Sequence, residues 1–283
     1  MRIATCNVNG LRAAVRKGMG QWIAQTQADV LLLQEVRAPE ALVADLISPA
    51  DLAHQSANLQ YQIVQQACRI KGRAGVAIAV REGIEIGQTR IGLAAGLAPD
   101  ADEPDVDTGR WVEVDLPELN TTFISAYLHS GVADDETKMA AKYAHLARVT
   151  ERLTQLSQER PLAHVVLAGD FNIVHTAADI KNWKSNHNRT AGVLDSEIAY
   201  LNQWISQLGF VDVQRRLSPE TQGPYTWWSQ RGKAFDNDAG WRIDYQLANP
   251  ELAAKAENFR IDRASEYSGR WSDHAPLVIE YEN

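Results

Sequence analysis

Short apolar runs, several rich in Val and Ile, recur along the chain and are separated by helical patterns. The segments 2–7 (RIATCN), 29–35 (DVLLLQE), 74–80 (AGVAIAV) and 110–116 (RWVEVDL) read as strands. So do 121–128 (TTFISAYL), 164–169 (HVVLAG), 242–248 (RIDYQLA) and 276–281 (PLVIEY). The uninterrupted apolar stretches, as in Val30–Leu33, predict strands buried on both faces. Met139, Tyr143, Leu146, Leu153 and Leu156 recur at helical spacing and predict a long helix over 136–160, stopped before Pro161. A helix through Trp22 and Ile23 and another from Ser196 to Gly209 complete the expectation. The Ala-, Pro- and Asp-rich segment 93–109 is expected to be a solvated surface loop, with an acidic lid as the alternative. No repeat, low-complexity tract or linker divides the chain, which predicts a single α/β domain over 1–283.

The polar residues interrupt this pattern at particular places. Asn7 and Asn9 follow the first strand, Gln34 and Glu35 the second, and Tyr127 and His129 the fifth. In VVLAGDFNIVH, Asp170 and Asn172 sit two apart, so an extended backbone points both one way, with Phe171 turned toward the core. Asp244 lies in WRIDYQL, and Asp273 and His274 precede the last strand. Each alone also fits a structural role: Asn7 or Asn9 in a turn, Asp170 in an Asx-turn, Asp273 as a cap. Together they point to a ligand site on the rim where the sheet ends converge.

The residue types narrow the chemistry. Glu35, Asp170 and Asp273 with neighbouring amides suit a hard cation such as Mg²⁺ or Mn²⁺. His/Cys spacing for a tetrahedral zinc site is absent. Asp244 can fix the tautomer of His274. A metal, a general base and a polarised imidazole together suit phosphate-ester hydrolysis.

Hydrophobic content of 45%, charged content of 23% and a formal net charge of −8 describe an ordinary globular protein. The charge argues against a non-specific nucleic-acid coat, but not against phosphate met through a metal. Two cysteines, Cys6 and Cys68, build no disulfide framework, and no stretch is apolar enough for a signal peptide or membrane span. A cytoplasmic location is expected, with Cys6 buried and inert.

The motifs NVNGLRAAVRKG, LLLQEVRAP, GVAIAV, AGDFNIVH…DIKNWKSN, YTWW…AGWRIDY and SDHAP run from Asn7 to Pro276. Together they resemble the exonuclease III family of apurinic/apyrimidinic endonucleases, within the endonuclease/exonuclease/phosphatase superfamily. GDFN and SDHAP fit the superfamily; NGLRA, DIKNWK and GWRIDY fit its DNA-repair branch. The resemblance implies a four-layer α/β/β/α sandwich, two mixed sheets packed face to face between outer helices, with the site at one rim.

It also implies roles. Glu35 matches the principal metal ligand, with Asn7 close by and Asp273, Asp170 and Asn172 completing the metal set. Asp170 matches the aspartate that orients or deprotonates the attacking water, and Asn172 the amide that holds it. Tyr127 matches a tyrosine near the leaving oxygen, and His274, paired with Asp244, a histidine on a phosphate oxygen. Trp227, Trp241 and Ile243 match a small apolar pocket for a baseless sugar. Asn9, Arg12, Arg16, Lys17, Lys71, Arg73, Lys181, Asn182 and Asn186 are candidate backbone-phosphate contacts. Of Trp227, Trp228 and Trp271, at least one is expected in the core. The implied partner is double-stranded DNA with abasic or 3′-blocked sites, met by a monomer away from membranes.

Departures from the family are Tyr127-Leu128-His129 where most relatives have Tyr-x-Pro, the acidic stretch GVADDET, Cys6 for a common Trp, and Thr108-Gly109-Arg110. None removes a catalytic group. The competing functions are a nucleic-acid-binding regulator of weak or no activity, and a phosphoesterase acting on lipid or inositol phosphates.

Overall fold

A computed structural model describes residues 1–47, 59–98, 101–219 and 221–282. Strands β1 (Arg2–Asn7), β2 (Val30–Gln34), β3 (Tyr61–Gln66), β4 (Val76–Arg81), β11 (Ala256–Ile261) and β12 (Leu277–Tyr281) form one sheet, in the order β11-β12-β1-β2-β4-β3. Strands β5 (Thr89–Ile91), β6 (Trp111–Leu116), β7 (Thr121–Tyr127), β8 (His164–Asp170), β9 (Val211–Asp212) and β10 (Asp244–Ala248) form the other. Its order is β5-β6-β7-β8-β10-β9. Each sheet is mixed: β1 runs parallel to β2 and β7 parallel to β8, while the other pairs are antiparallel.

Strand alternation explains the layering. Ile3, Val30, Leu32, Val76 and Ile78 of the first sheet face Val112, Val114, Phe123, Val166 and Ala168 of the second across a shared core. The intervening residues point outward. Ala4, Leu31, Leu33 and Ala77 pack with Leu11, Met19, Ile23 and Val43 of the helices Leu11–Arg16, Met19–Thr26 and Glu40–Ile47. On the other side, Ile124, Val165 and Leu167 pack with Leu146, Val149 and Leu153 of helix Glu136–Gln158 and with Ile198 and Leu201 of helix Asp195–Asn202. The result is the four-layer α/β/β/α sandwich.

Two expectations change in detail. The expected helix through Trp22 and Ile23 is Met19–Thr26, and a separate helix, Leu11–Arg16, precedes it, divided from it at Gly18, whose φ of 107° is in the left-handed region. The helix from Ser196 ends at Asn202 and continues as a wider π turn over Gln203–Gln207.

The segment 93–109 is not a solvated loop among its described residues. Leu93–Leu97 is helical, and Glu103, Asp107 and Thr108 are buried. Glu103 accepts from Leu93 N at 2.9 Å and from Gln66 Nε2 at 2.7 Å, so its acids fasten the segment to the sheet. Its Pro and Asp content signals turns, but these carboxylates have partners that the local sequence does not show.

One glycine is required by close approach. A Cβ on Gly169 would lie 1.9 Å from Ala126 O in the neighbouring strand β7. Gly169→Ala is expected to destabilise the protein by about 3 kcal/mol by forcing β7 and β8 apart. Urea denaturation checks this; an unchanged midpoint would contradict the packing described.

Candidate active site

The site forms where the inward-facing positions of both sheets turn polar. Along β8, Val166 and Ala168 lie in the inter-sheet core and Asp170 follows at the same parity. Phe123, Ser125 and Tyr127 do the same along β7, Ala248, Gln246 and Asp244 along β10, and Ile3, Thr5 and Asn7 along β1. A first polar row is structural. Gln34 Nε2 donates to Ser125 Oγ at 3.0 Å, and Gln246 Nε2 to Ile3 O at 3.1 Å. The next row joins the sheets directly. Asn7 Nδ2 donates to Asp170 Oδ2 at 2.9 Å and to Glu35 Oε1 at 3.0 Å. Tyr127 OH reaches back to Glu35 Oε1 at 2.8 Å.

The turns after these strands aim the remaining groups. Asn9, Glu35 and Asn172 have φ of 46°, 50° and 52°, left-handed conformations that residues other than glycine adopt at some cost. Asn9 N donates to Asn7 Oδ1 and Asn172 N to Asp170 Oδ1, both at 2.9 Å. NVN and DFN are therefore the same device, an Asx-turn on each sheet. For Asp170 the turn and the site are both real, since its other oxygen meets Asn7. Phe171, on the opposite face, stacks on Tyr245 with centroids 4.9 Å apart, anchoring the strand end in the core.

His274 completes the row. Its Nδ1 donates to Asp244 Oδ2 at 2.8 Å, leaving Nε2 3.7 Å from Asp170 Oδ2. Ser272, in the same SDHAP motif, donates Oγ to Asn7 O at 2.7 Å and accepts from His274 N at 3.2 Å. Burial disfavours the imidazolium, but Asp244 and Asp170 outweigh it and push His274 up to about 9. Burial pushes Asp170 up to about 7, against the His274 charge, with Asp244 adding to the rise. Tyr127 is raised to about 12, chiefly by burial and then by Asp170, so its phenol stays protonated.

Above this row lies a cavity of about 540 Å³. Glu35, Tyr127, Asp170, Asn172, Asp273 and His274 line it, with Trp227, Trp241 and Ile243 as an apolar wall. The two indoles meet edge to face at 5.5 Å, and Trp227 Nε1 donates to Asp273 Oδ2 at 3.2 Å. Asn9 Nδ2 holds the other oxygen of Asp273 at 2.9 Å. Trp228 instead is buried against Phe235, so it is the tryptophan that packs in the core.

The carboxylate oxygens fit a hard divalent cation. Glu35 and Asp170 lie within reach of one amide, and Asp273 lines the same cavity. Asn7 differs from its expected role: it presents Nδ2 to both carboxylates and gives Oδ1 to Asn9 N, so here it bridges ligands. Asn182 and Asn186 do not line the cavity. Asn186 donates to Asn182 O at 2.8 Å and accepts from Thr190 Oγ1 at 3.0 Å, which uses its amide inside a turn. Arg189 and Thr190 reach the cavity instead, as does the loop over 130–134. Arg12, Lys71 and Arg73 line a separate depression beside Arg37, whose guanidinium pairs with Glu35. Lys17 lies in another with Asn9 and Asp273. Arg37 was legible only as part of LLLQEVRAP, and Ser272 only as part of SDHAP.

Comparison with known proteins agrees with this geometry. The Endonuclease/Exonuclease/phosphatase family matches residues 4–274. An exodeoxyribonuclease of Bacillus subtilis (strain 168) is 30% identical over 281 residues, 99% of this chain and 98% of the relative. An AP endonuclease from Archaeoglobus fulgidus superposes with a TM-score of 0.79 at 26% identity, covering 100% of both chains. A 3′–5′ exonuclease from Neisseria meningitidis gives 0.79 at 28% identity, again over 100% of both. The chain belongs to the Endonuclease/Exonuclease/phosphatase family and, within it, to the exonuclease III branch of metal-dependent DNA-repair nucleases.

Proposed function

We propose that this nuclease cuts double-stranded DNA on the 5′ side of abasic sites with Mg²⁺ as its cation, Mn²⁺ substituting. The same site removes 3′ phosphates, 3′ phosphodiesters and 3′ nucleotides. The observation that carries this reading is one cavity in which the carboxylate–histidine row adjoins the wall of Trp227, Trp241 and Ile243. A pocket of that kind admits a sugar without a base, and extrusion is easiest where no base is stacked. The names of the aligned relatives, an AP endonuclease and a 3′–5′ exonuclease, support both activities.

Phosphodiester hydrolysis needs up to ~10¹⁷-fold acceleration, roughly 20 kcal/mol, which no single group supplies. Glu35, Asp170 and Asp273 would hold the cation, which offsets charge on the phosphoryl oxygens when bound. Asp170 takes the proton of the attacking water; its burial makes it a stronger base than an exposed carboxylate. Asn172 holds Asp170 in line through its backbone N–H. His274, fixed by Asp244, donates Nε2–H to a non-bridging oxygen. Tyr127 donates toward the leaving oxygen. Arg12, Lys71 and Arg73 contact the flanking backbone. The whole chain acts as one domain and as a cytoplasmic monomer; no helix among the described residues is long and apolar enough to cross a membrane.

End-labelled duplexes carrying an abasic site, a 3′-phosphate or a plain recessed 3′ end test this, each with and without Mg²⁺. Nicking of the abasic duplex that stops on adding EDTA is expected. Tight binding without turnover of any duplex would instead favour the regulator reading. Trp227→Ala, which enlarges the pocket, is expected to reduce the preference for abasic over intact duplex by about 10-fold. An unchanged ratio of kcat/KM values would remove Trp227 from specificity.

A further inference from the structure

A second group of ionisable side chains lies outside the row that performs the reaction. Asp107, from the buried end of segment 93–109, meets His129, two residues past Tyr127, and His145 on helix Glu136–Gln158. Asp107 Oδ1 is 2.7 Å from His129 Nε2 and 3.5 Å from His145 Nδ1. One ligand atom from each residue lies within 4.8 Å of the other two. The two rings meet edge to face, with centroids 5.1 Å apart.

His145 points to what the group can hold. It is fully buried, and neither ring nitrogen has a hydrogen-bond partner. Unsatisfied buried polar groups are uncommon in proteins because the lost hydration is not replaced. Arg148 Nη1 takes the other carboxylate oxygen of Asp107 at 3.2 Å, leaving Oδ1 toward the imidazoles. Of the other nearby cations, Arg110 lies over the Tyr127 ring and Lys142 pairs with Glu197 at 2.6 Å.

We propose that Asp107, His129 and His145 form a second metal site, distinct from the catalytic one, for a single divalent ion of the zinc type. Two imidazoles and a carboxylate select a borderline ion such as Zn²⁺ or Co²⁺ over Mg²⁺, which prefers oxygen. Ligands must be deprotonated to bind. Burial lowers His145 to about 4 and also holds His129 below its ordinary value, so both imidazoles are neutral near pH 7. Asp107 is ionised, because its hydrogen bond with His129 and the neighbouring imidazoles and Arg148 outweigh its burial. The His129 side chain is 12% exposed, which supplies a route for the ion and for a water in the fourth position. An ion there joins segment 93–109 and the end of β7, which carries Tyr127, to the long helix.

The test uses the full chain, stripped with chelator and kept in excess Mg²⁺ so that the catalytic carboxylates are occupied. Titration with Zn²⁺ by calorimetry should show one equivalent bound. Co²⁺ should give the visible absorption of a low-coordinate nitrogen/oxygen site, and Zn²⁺ should raise the melting temperature. His129→Gln and His145→Gln should each weaken that equivalent by at least about 10-fold. Glu35→Gln should leave it in place. His129 is partly exposed, so its variant answers even if His145→Gln does not fold. The proposal is overturned if no equivalent binds, if it survives unchanged in His129→Gln, or if it is lost in Cys68→Ser instead.

Discussion

Asp170→Asn is expected to slow cleavage of an abasic duplex at least about 1,000-fold while leaving the fold and DNA binding in place. Asparagine keeps the Oδ1 that accepts Asn172 N at 2.9 Å, so the turn survives. It loses the negative charge that helps raise His274 and that, on the proposed reading, accepts a proton from water and contributes to the cation site. Because Asp170 is buried and its carboxylate is costly there, stability should not fall. Single-turnover rates, melting curves and binding anisotropy on the same preparation separate these effects. A variant within tenfold of the parent rate would show that another group handles the proton.

Arg242→Met is expected to cost about 3–5 kcal/mol of stability, the largest effect of any substitution considered outside the active site. Arg242 is fully buried. Its Nε donates to Asp179 Oδ1 at 2.6 Å, and Nη1 and Nη2 grip Asp212 at 3.1 and 2.7 Å. Removing it leaves Asp212 in the interior without its cation, held only by Arg215 N, and leaves Asp179 with Arg215, whose Nη2 lies 2.5 Å away, and the Thr176 donors. The pair Ile243 and Asp244 follows directly, so the apolar wall and the His274 partner should loosen with it. Adding Asp212→Asn should recover part of the loss, because it removes one of the stranded charges. Urea denaturation measures both; a loss below 1 kcal/mol in the single variant would contradict the account.

The same network sets an acid limit. Burial pushes the Asp179 carboxyl up, but Arg242 and Arg215 outweigh it and hold it at about 2, below its ordinary 3.8. A depressed folded value means this stabilisation is present above the ordinary value and is lost as pH falls toward 2. The Arg242→Met chain should therefore lose less stability than the parent over that interval.

The eight strands expected from apolar runs are the interior strands of the two sheets. Those not anticipated, β3, β5, β9 and β11, are the four edges. Edge strands are short or half-exposed, as in Thr89–Ile91 and the Glu257–Asn258 stretch, so they lack the continuous apolar signal of strands covered on both faces. The active-site row was legible for a related reason: interior strands have strict parity, so a carboxylate at the inward position stands out. Asp179 and Arg242 sat inside DIKNWK and GWRIDY without showing that they bind each other across 63 residues. Asp107 and His145 were equally silent, because neither periodicity nor motif reveals a pairing between a turn and a helix.

On the proposed function, the carboxylate–histidine row hydrolyses the phosphodiester on the 5′ side of a baseless sugar. Mapping the ends left on a labelled duplex with one abasic site, after a single turnover in Mg²⁺, tests it most directly. One cut immediately 5′ to the site is expected, leaving a 3′-hydroxyl upstream and a 5′ sugar phosphate downstream. Cleavage on the 3′ side, or the same cleavage in EDTA, would contradict it.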